Sequence, residues 1–558
     1  MRRSIIIGIL CVMLALVGFA SGDVYEFTDS YGDTYATGQV TFDENGIVNG
    51  AVIAGATNGD VNVEQSASQG DGSVSVSQSG EIQGDYGFAG TLAADGNGNS
   101  GGNFASVTGG SMAMDQETFG GQISSGGYQS EGQYGFIEPV FTASGLISDQ
   151  FVEMEGSSGY AGTLVANANG ASAQTGASFT NGGMDAIQGG AVGGASLEIP
   201  YYQGIFSTSI AIPDFTVEGA VAGQGAYIWG SSGSASTTVS DGNGASGQSL
   251  ATFSNGGMDL IQAGGAGSVS IEDLYPFTGY EIPAPVVPGS LSLGGAVAGQ
   301  SVYMGGSSGS ASTTVSDGNG ASGTTVTSFT NAEIYGLIQA GAAGDVFITS
   351  PYYTSAEPIE LSMGGVIVGQ DLNVVEGASG SATTTVTHEN GASAQSTASF
   401  TDGKMGTIQA GAAGDASLLL PDYLFGDEID VSLGVDGVIA GQDFYAKDSG
   451  SASALTSARD ANGNYALANA SVSSGNMYTT QVAGAGDVDL GLAFTSAGSE
   501  EEQLGLSASG IFAAQAGKMG GSSGSASTEV EVNGTHSGNY AEFTEGTMDF
   551  SQLSAGIT

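Results

Sequence analysis

The residues with the widest chemical reach are the scarcest in this chain. Its only imidazoles are His388 and His536, and its only thiol is Cys11. The cations are Arg2, Arg3, Lys404, Lys447, Arg459 and Lys518. Acid–base or nucleophilic catalysis needs a base, a nucleophile and an orienting partner held together. Both histidines instead lie at or beside Asn-Gly turns, where the ordinary occupant is a solvent-facing turn residue. No G-x-x-x-x-G-K-S/T phosphate loop is present. Neither a catalytic residue nor a cofactor is expected.

Carboxylates are abundant, with 56 Asp plus Glu, and abundance weakens any one pair as a signal. Asp241 and Asp317 recur in DGNG turns, where an Asp side chain bonds its own backbone. Calcium prefers clustered oxygen ligands, so weak divalent-cation binding is conceivable, but no EF-hand loop or nonapeptide calcium repeat occurs. The run Glu500, Glu501, Glu502 reads as a loose cation site or as a solvated loop. Asn469 and Asn533 head glycosylation-type triplets, which also arise by chance in a Ser/Thr-rich chain.

The strongest pattern is a repeat in seven copies. Its turn glycines are Gly98, Gly170, Gly244, Gly320, Gly391, Gly463 and Gly534. Upstream of each lies one of Gln78, Gln150, Gln224, Gln300, Gln370, Gln442 and Gln515. Downstream lies one of Gln116, Gln188, Gln262, Gln339, Gln409, Gln481 and Gln552. Offsets that stay at 19 to 21 residues before the glycine and 18 or 19 after it in every copy indicate stacked supersecondary units. The repeats divide as 73–144, 145–218, 219–294, 295–364, 365–436, 437–509 and a truncated 510–558. Residues 23–72 form a degenerate copy or a cap, in which Gln39 and Asn58-Gly59 keep the spacing of the glutamine and its turn.

The elements that must position these markers are strands. Ser310–Ser316 reads SASTTVS and Thr324–Thr330 reads TTVTSFT, with DGNG between them. Thr, Val and Phe in short alternating runs suit a pleated strand, and Asn-Gly suits a turn with positive φ. Frequent glycine and the lack of a three-to-four apolar period exclude long helices. The expected fold is all-β, with about four short strands per repeat in extended stacked sheets or a β-solenoid-like array. Pro139, Pro200, Pro213, Pro276, Pro283, Pro285, Pro288, Pro351, Pro358 and Pro421 fall in or near the connectors between copies. Aromatics there, including Tyr201, Tyr202, Tyr280, Tyr352, Tyr353, Tyr423 and Phe425, read equally as arms over a neighbour or as ordinary loops. The marker glutamines are expected at equivalent strand positions, their amides paired along a ladder.

Residues 1–22 have the form of a signal peptide: Arg2 and Arg3, an apolar run from Ile5 to Phe19, then small residues to Gly22. An uncleaved anchor is the alternative, although the run is short for a membrane span. Past the signal no apolar stretch reads as transmembrane and no cysteine remains, so neither disulfides nor thiolate metal sites are expected. The formal net charge of −50, with no Lys or Arg from Gly22 to Gly403, excludes nucleic acid as a partner. With hydrophobic residues at 40%, the acidity does not imply disorder.

A signal peptide followed by cysteine-free acidic repeats such as GSASTTVSDGNGAS resembles the major sheath proteins of filamentous methanogenic archaea. The resemblance implies a secreted subunit of a tubular, amyloid-like sheath. Its partner would be itself, as a homopolymer, together with other cell-envelope components. Two alternatives remain: a repeat-containing surface adhesin or stalk, and an extracellular β-helix polysaccharide-processing enzyme.

Overall fold

Small and β-branched residues alternate along every run between glycine-bearing turns, and the chain extends accordingly. In the computed structural model it is all-β. The structure describes residues 24–28, 34–42, 48–70, 73–95, 97–124, 140–198, 202–203, 209–210, 214–272, 290–351, 358–422, 428–495, 502–509 and 511–555. The expected signal peptide, Glu500, Glu501, most of the connector prolines and most of the connector aromatics lie outside them.

Four strands come first: β1 (Val24–Thr28), β2 (Thr34–Phe42), β3 (Val48–Thr57) and β4 (Asp60–Gly70). Long strands follow in pairs: β5 (Ser73–Ala94) with β6 (Ser100–Ser124), and β7 (Val140–Ala166) with β8 (Ser172–Glu198). A separate small ribbon joins β9 (Tyr202–Gln203) to β10 (Ser209–Ile210). The pairs continue as β11 (Asp214–Ser240) with β12 (Ser246–Glu272), and β13 (Ser290–Ser316) with β14 (Ser322–Pro351). Then come β15 (Pro358–Thr387) with β16 (Ser393–Asp422), and β17 (Glu428–Arg459) with β18 (Tyr465–Thr495). The last unit is broken into β19 (Glu502–Ser509), β20 (Phe512–Ala514), β21 (Ser523–Val532), β22 (Thr535–Thr544) and β23 (Leu553–Ala555). From β5 to β18 each long strand pairs antiparallel with the one before and the one after it, so all of them form one large meander.

Each long strand doubles back at its middle. Gln150 Nε2 donates to Thr163 Oγ1 at 3.4 Å, and Gln300 Nε2 to Thr313 Oγ1 at 3.4 Å, within single strands. Thirteen extended residues span about 43 Å, so those contacts require a fold between them. The bends carry residues in the left-handed region on alternate strands: Gly109, Asn181, Asn255, Asn331, Asp402 and Ser474, with φ between 47° and 60°. Asn and Asp tolerate that region better than most residues. Because neighbouring strands bend at the same level, the hydrogen-bonded ladder runs almost unbroken across the fold. The four short strands expected per repeat are thus the halves of two long ones.

The result is two stacked layers of a single sheet. The first contains the glutamines. The second runs from the mid-strand bends to the DGNG turns. Between them, near the bends, lie Met154, Met184, Ile228, Met258, Phe329 and Phe400. Beyond the glutamines lie Val165, Val192, Val239, Val315, Val366 and Val368. A row of glycines crosses the first layer in register: Gly193 faces Gly219, then Gly267, Gly295, Gly344, Gly365 and Gly414 follow. The repeat boundaries at 145, 219, 295, 365 and 437 coincide with this row and fall inside strands, whereas the hairpins themselves begin at β5, β7, β11, β13, β15 and β17.

Two expectations change. Asn58-Gly59 is a mid-strand bend between β3 and β4, not a DGNG-type turn; Asn58 has φ 51°, and the glutamine of that strand is Gln65. Pro351, Pro358 and Pro421 lie within strand ends, where Pro351 pairs with Pro358 and Pro421 with Asp430. Proline fits there because β16 pairs with β15 only as far as Leu418, so no ladder bond to β15 is required of Pro421.

Candidate functional site

The glutamines form the polar centre of the molecule. Upstream and downstream markers fall in one row because their offsets from the turn are nearly equal, which sets them opposite each other in the hairpin. Ten successive amide bonds of 2.6–3.1 Å link Gln65, Gln78, Gln116, Gln150, Gln188, Gln224, Gln262, Gln300, Gln339, Gln370 and Gln409. In each bond Nε2 of the earlier residue donates to Oε1 of the later one. Gln442 and Gln481 keep the same register. Their amides reach the second layer, Gln442 Nε2 donating to Thr397 O and Gln481 Nε2 to Thr456 Oγ1 and Ala468 O. Gln515 Nε2 donates to Asn469 O. Gln552 is half-buried, next to β23.

Hydroxyls of the second layer close the seam. Thr237 Oγ1 donates to Gln262 Oε1, Thr327 Oγ1 to Gln370 Oε1 and Thr384 Oγ1 to Gln409 Oε1 at 2.8–3.2 Å. In the first repeat Thr91 and Thr118 share a hydrogen at 2.8 Å, and Asn103 Nδ2 donates to Asp149 O at 2.6 Å. A buried amide without partners costs about 1–3 kcal/mol, so the continuous chain of partners is what makes this polar interior tenable. Sequence reasoning missed Gln65 and the threonine row; the alternation of Thr with Ala and Val in each second-layer arm carried the signal for the latter.

The seven turn glycines all adopt positive φ, from 76° at Gly534 to 116° at Gly320. Asp317 Oδ1 accepts from the backbone N–H groups of Asn319, Gly320 and Ala321 at 2.8–3.1 Å. Asp95, Asp241 and Asp460 accept in the same manner, and at His388 the ring Nδ1 accepts from Asn390 N. These carboxylates are spent on turn geometry. His536 lies on exposed β22 beside Glu529 and Glu531. Among the described residues no group of three or more His, Cys, Asp or Glu is placed to hold a metal ion. Asn469 is half-buried on a strand of the second layer, and Asn533 is exposed in the Asn-Gly turn between β21 and β22.

The outward side of the first layer carries a row in which carboxylates meet aromatics. Tyr227 lies between Asp185 and Asp259, and Asp259 lies between Tyr227 and Tyr303. Asp259 is 3% exposed, and its Oδ1 has no hydrogen-bond partner among the described residues. Burial pushes the Asp259 carboxyl from 3.8 to about 6; burial and then Glu153 do the same to Asp185. A carboxyl whose folded pKa is raised opposes folding when ionised. Its penalty is absent below pH 4, grows as pH rises to about 6 and is complete above that. Asp259→Asn is therefore expected to stabilise the protein at pH 8 by up to about 3 kcal/mol and to flatten the loss between pH 4 and 6. Denaturation midpoints across that range read this directly, and identical pH profiles for the two proteins would contradict it.

No family model matches the chain, and no curated protein is significantly similar to it in sequence. No helix among the described residues is long and apolar enough to cross a membrane. What the fold defines is an extended, repeat-built β-sheet protein of a kind suited to a structural, fibrous role.

Proposed function

We propose that this chain is a secreted subunit of an extracellular structural polymer, a sheath or surface layer, and that it is not an enzyme. The observation that carries this reading is the seam: from β4 to β16 each added strand meets the same register and the same amide-to-amide bond as the strand before it. A further chain can continue such a sheet by edge pairing. Edges suited to this are present. β22 pairs with β21 alone and β4 with β5 alone among the described residues, and Thr535–Tyr540 are exposed. The acidic, cysteine-free repeats that resemble archaeal sheath proteins fit the same role, with lattice contacts in place of disulfides.

The test is to isolate the chain from native cell envelopes and follow its size by light scattering and electron microscopy across salt and calcium. Regular rings, tubes or sheets are expected once like charge is screened, since the Debye length falls from about 10 Å at 0.1 M to about 3 Å at 1 M. Stable monomers at every condition, together with absence from envelope preparations, would overturn the proposal.

A further inference from the structure

We infer that the outward face of the second layer is a docking surface for the same face of a second copy of this chain, so that assemblies thicken by back-to-back stacking as well as lengthen at strand edges. The inference rests on the structural role proposed above and adds which surface meets which partner.

Charge is the first argument. In the ten strands β5–β8 and β11–β16, the second-layer side chains pointing away from the core occupy alternate positions such as Ser308, Ser310, Ser312, Thr314 and Ser316. Between Tyr86 and Thr401 none of these outward positions is Asp, Glu, Lys, Arg or His. In a chain of net charge −50 that is a large neutral field. A like-charged copy can approach such a face without the repulsion that any acidic face would impose.

Exposed apolar groups are the second argument. Large hydrophobic side chains left exposed among the described residues are Leu92, Phe104, Tyr160, Leu164, Leu250 and Val326, plus Tyr540. The first six all stand on this face, and Tyr540 lies on β22. The rest of the field is mainly Ser and Thr, whose hydroxyls bond in rows: Ser178 to Ser234 at 2.7 Å, Ser328 to Ser381 at 2.8 Å and Ser399 to Ser453 at 2.8 Å. Hydroxyls paired within the face need few partners across an interface.

Size and period select the occupant. Ten strands at ~4.8 Å and nine residues at ~3.3 Å give a face of about 1,400 Å². A standard interface buries about 800 Å² on each partner. The face repeats its texture at every strand, and a surface with the same period is another copy of the same sheet. Small side chains let two such sheets come close, as in dry sheet-to-sheet contacts.

The experiment uses the full chain under the high-salt conditions that drive assembly. Leu250→Glu combined with Val326→Glu places acid in the centre of the face at exposed positions. Circular dichroism and the melting midpoint verify that the fold is kept. Separately, pyrene attached at Ser312→Cys reports on face-to-face proximity, with Asn243→Cys at a turn as the control. Expected are wild-type assemblies twice as thick as those of the double variant by microscopy, lateral association weakened at least roughly tenfold by the charges, and excimer emission from position 312 but not from 243. If wild type and variant assemble to the same thickness and position 312 gives no excimer, the docking face is wrong while the structural role stands. If the wild type remains monomeric, both fall. Sedimentation with insoluble polysaccharide, abolished by the two glutamates and without an excimer, would assign the face to a glycan and overturn the second copy.

Discussion

Gln262→Leu is expected to lower the free energy of unfolding by about 2–6 kcal/mol, because the substitution strands two buried groups at about 1–3 kcal/mol each. Gln262 Oε1 accepts from Gln224 Nε2 at 2.6 Å and from Thr237 Oγ1 at 3.2 Å. Its Nε2 donates to Gln300 Oε1 at 3.0 Å and to Ala235 O at 3.3 Å. Leucine has similar bulk, so cavity formation contributes little. The loss comes from Gln224 and Gln300, which stay buried at 1% and 5% exposure: one N–H of Gln224 Nε2 loses its acceptor while the other is held by Ser236 O at 2.8 Å, and Gln300 Oε1 loses its donor. Denaturant titration gives the magnitude, and amide exchange locates it in β11–β13. Because repeat arrays unfold in units, the effect is strongest in neighbouring strands and fades with distance. A change below about 1 kcal/mol would mean that the seam is ornamental to stability.

The second large effect is expected in the glycine row. At Gly295 a methyl group would sit 1.9 Å from Ala343 O, and φ is 146°. Gly295→Ala therefore combines a backbone conformation that L-residues avoid with a collision against the neighbouring strand. Together these cost about 2–6 kcal/mol, or a local break of the β13–β14 ladder. Gly225 is the matched control on the same layer, since nothing lies within 4 Å of its would-be Cβ. Gly225→Ala is expected to be neutral or slightly stabilising, because alanine reduces the freedom of the unfolded chain. Equal melting midpoints for the two variants would show that the row is not a close approach of strands.

How much of this was legible follows from where the forces act. Turns are local: in five of the seven copies an Asp or Asn stands three residues before the glycine and helps determine the turn, and Gly98 to Gly534 were readable as turn residues from spacing alone. The glutamine row was legible for a similar reason, since equal offsets about a hairpin turn fix the register. The mid-strand fold was not. Nothing local marks Asn181, Asn255 and Asn331 as bends within a continuous strand, because a sequence shows a residue's tolerance of positive φ but not whether its neighbours' ladders continue around it. Continuity there depends on all strands bending at one level, a cooperative property of the sheet. Gln65 escaped notice because its strand turns back at Asn58-Gly59, outside the pattern set by later copies. The charge-free second-layer face was also hidden, since it emerges only when alternate residues of ten strands are placed side by side.

The amide row has one more consequence. Every bond from Gln65 to Gln409 points the same way, nitrogen toward the carbonyl of the next strand. Turning over one amide in mid-row would set nitrogen against nitrogen on one side and oxygen against oxygen on the other, so the orientation of any one fixes that of all. The row thus behaves as a single switch frozen in one setting, with an arrow running from the early strands to the late ones. Two molecules joined early edge to late edge would keep the arrows aligned, while a join between two early edges, where Gln65 stands, would set the arrows against each other. A filament grown from such units would carry a direction, and its two tips would present different chemistry to the next arrival.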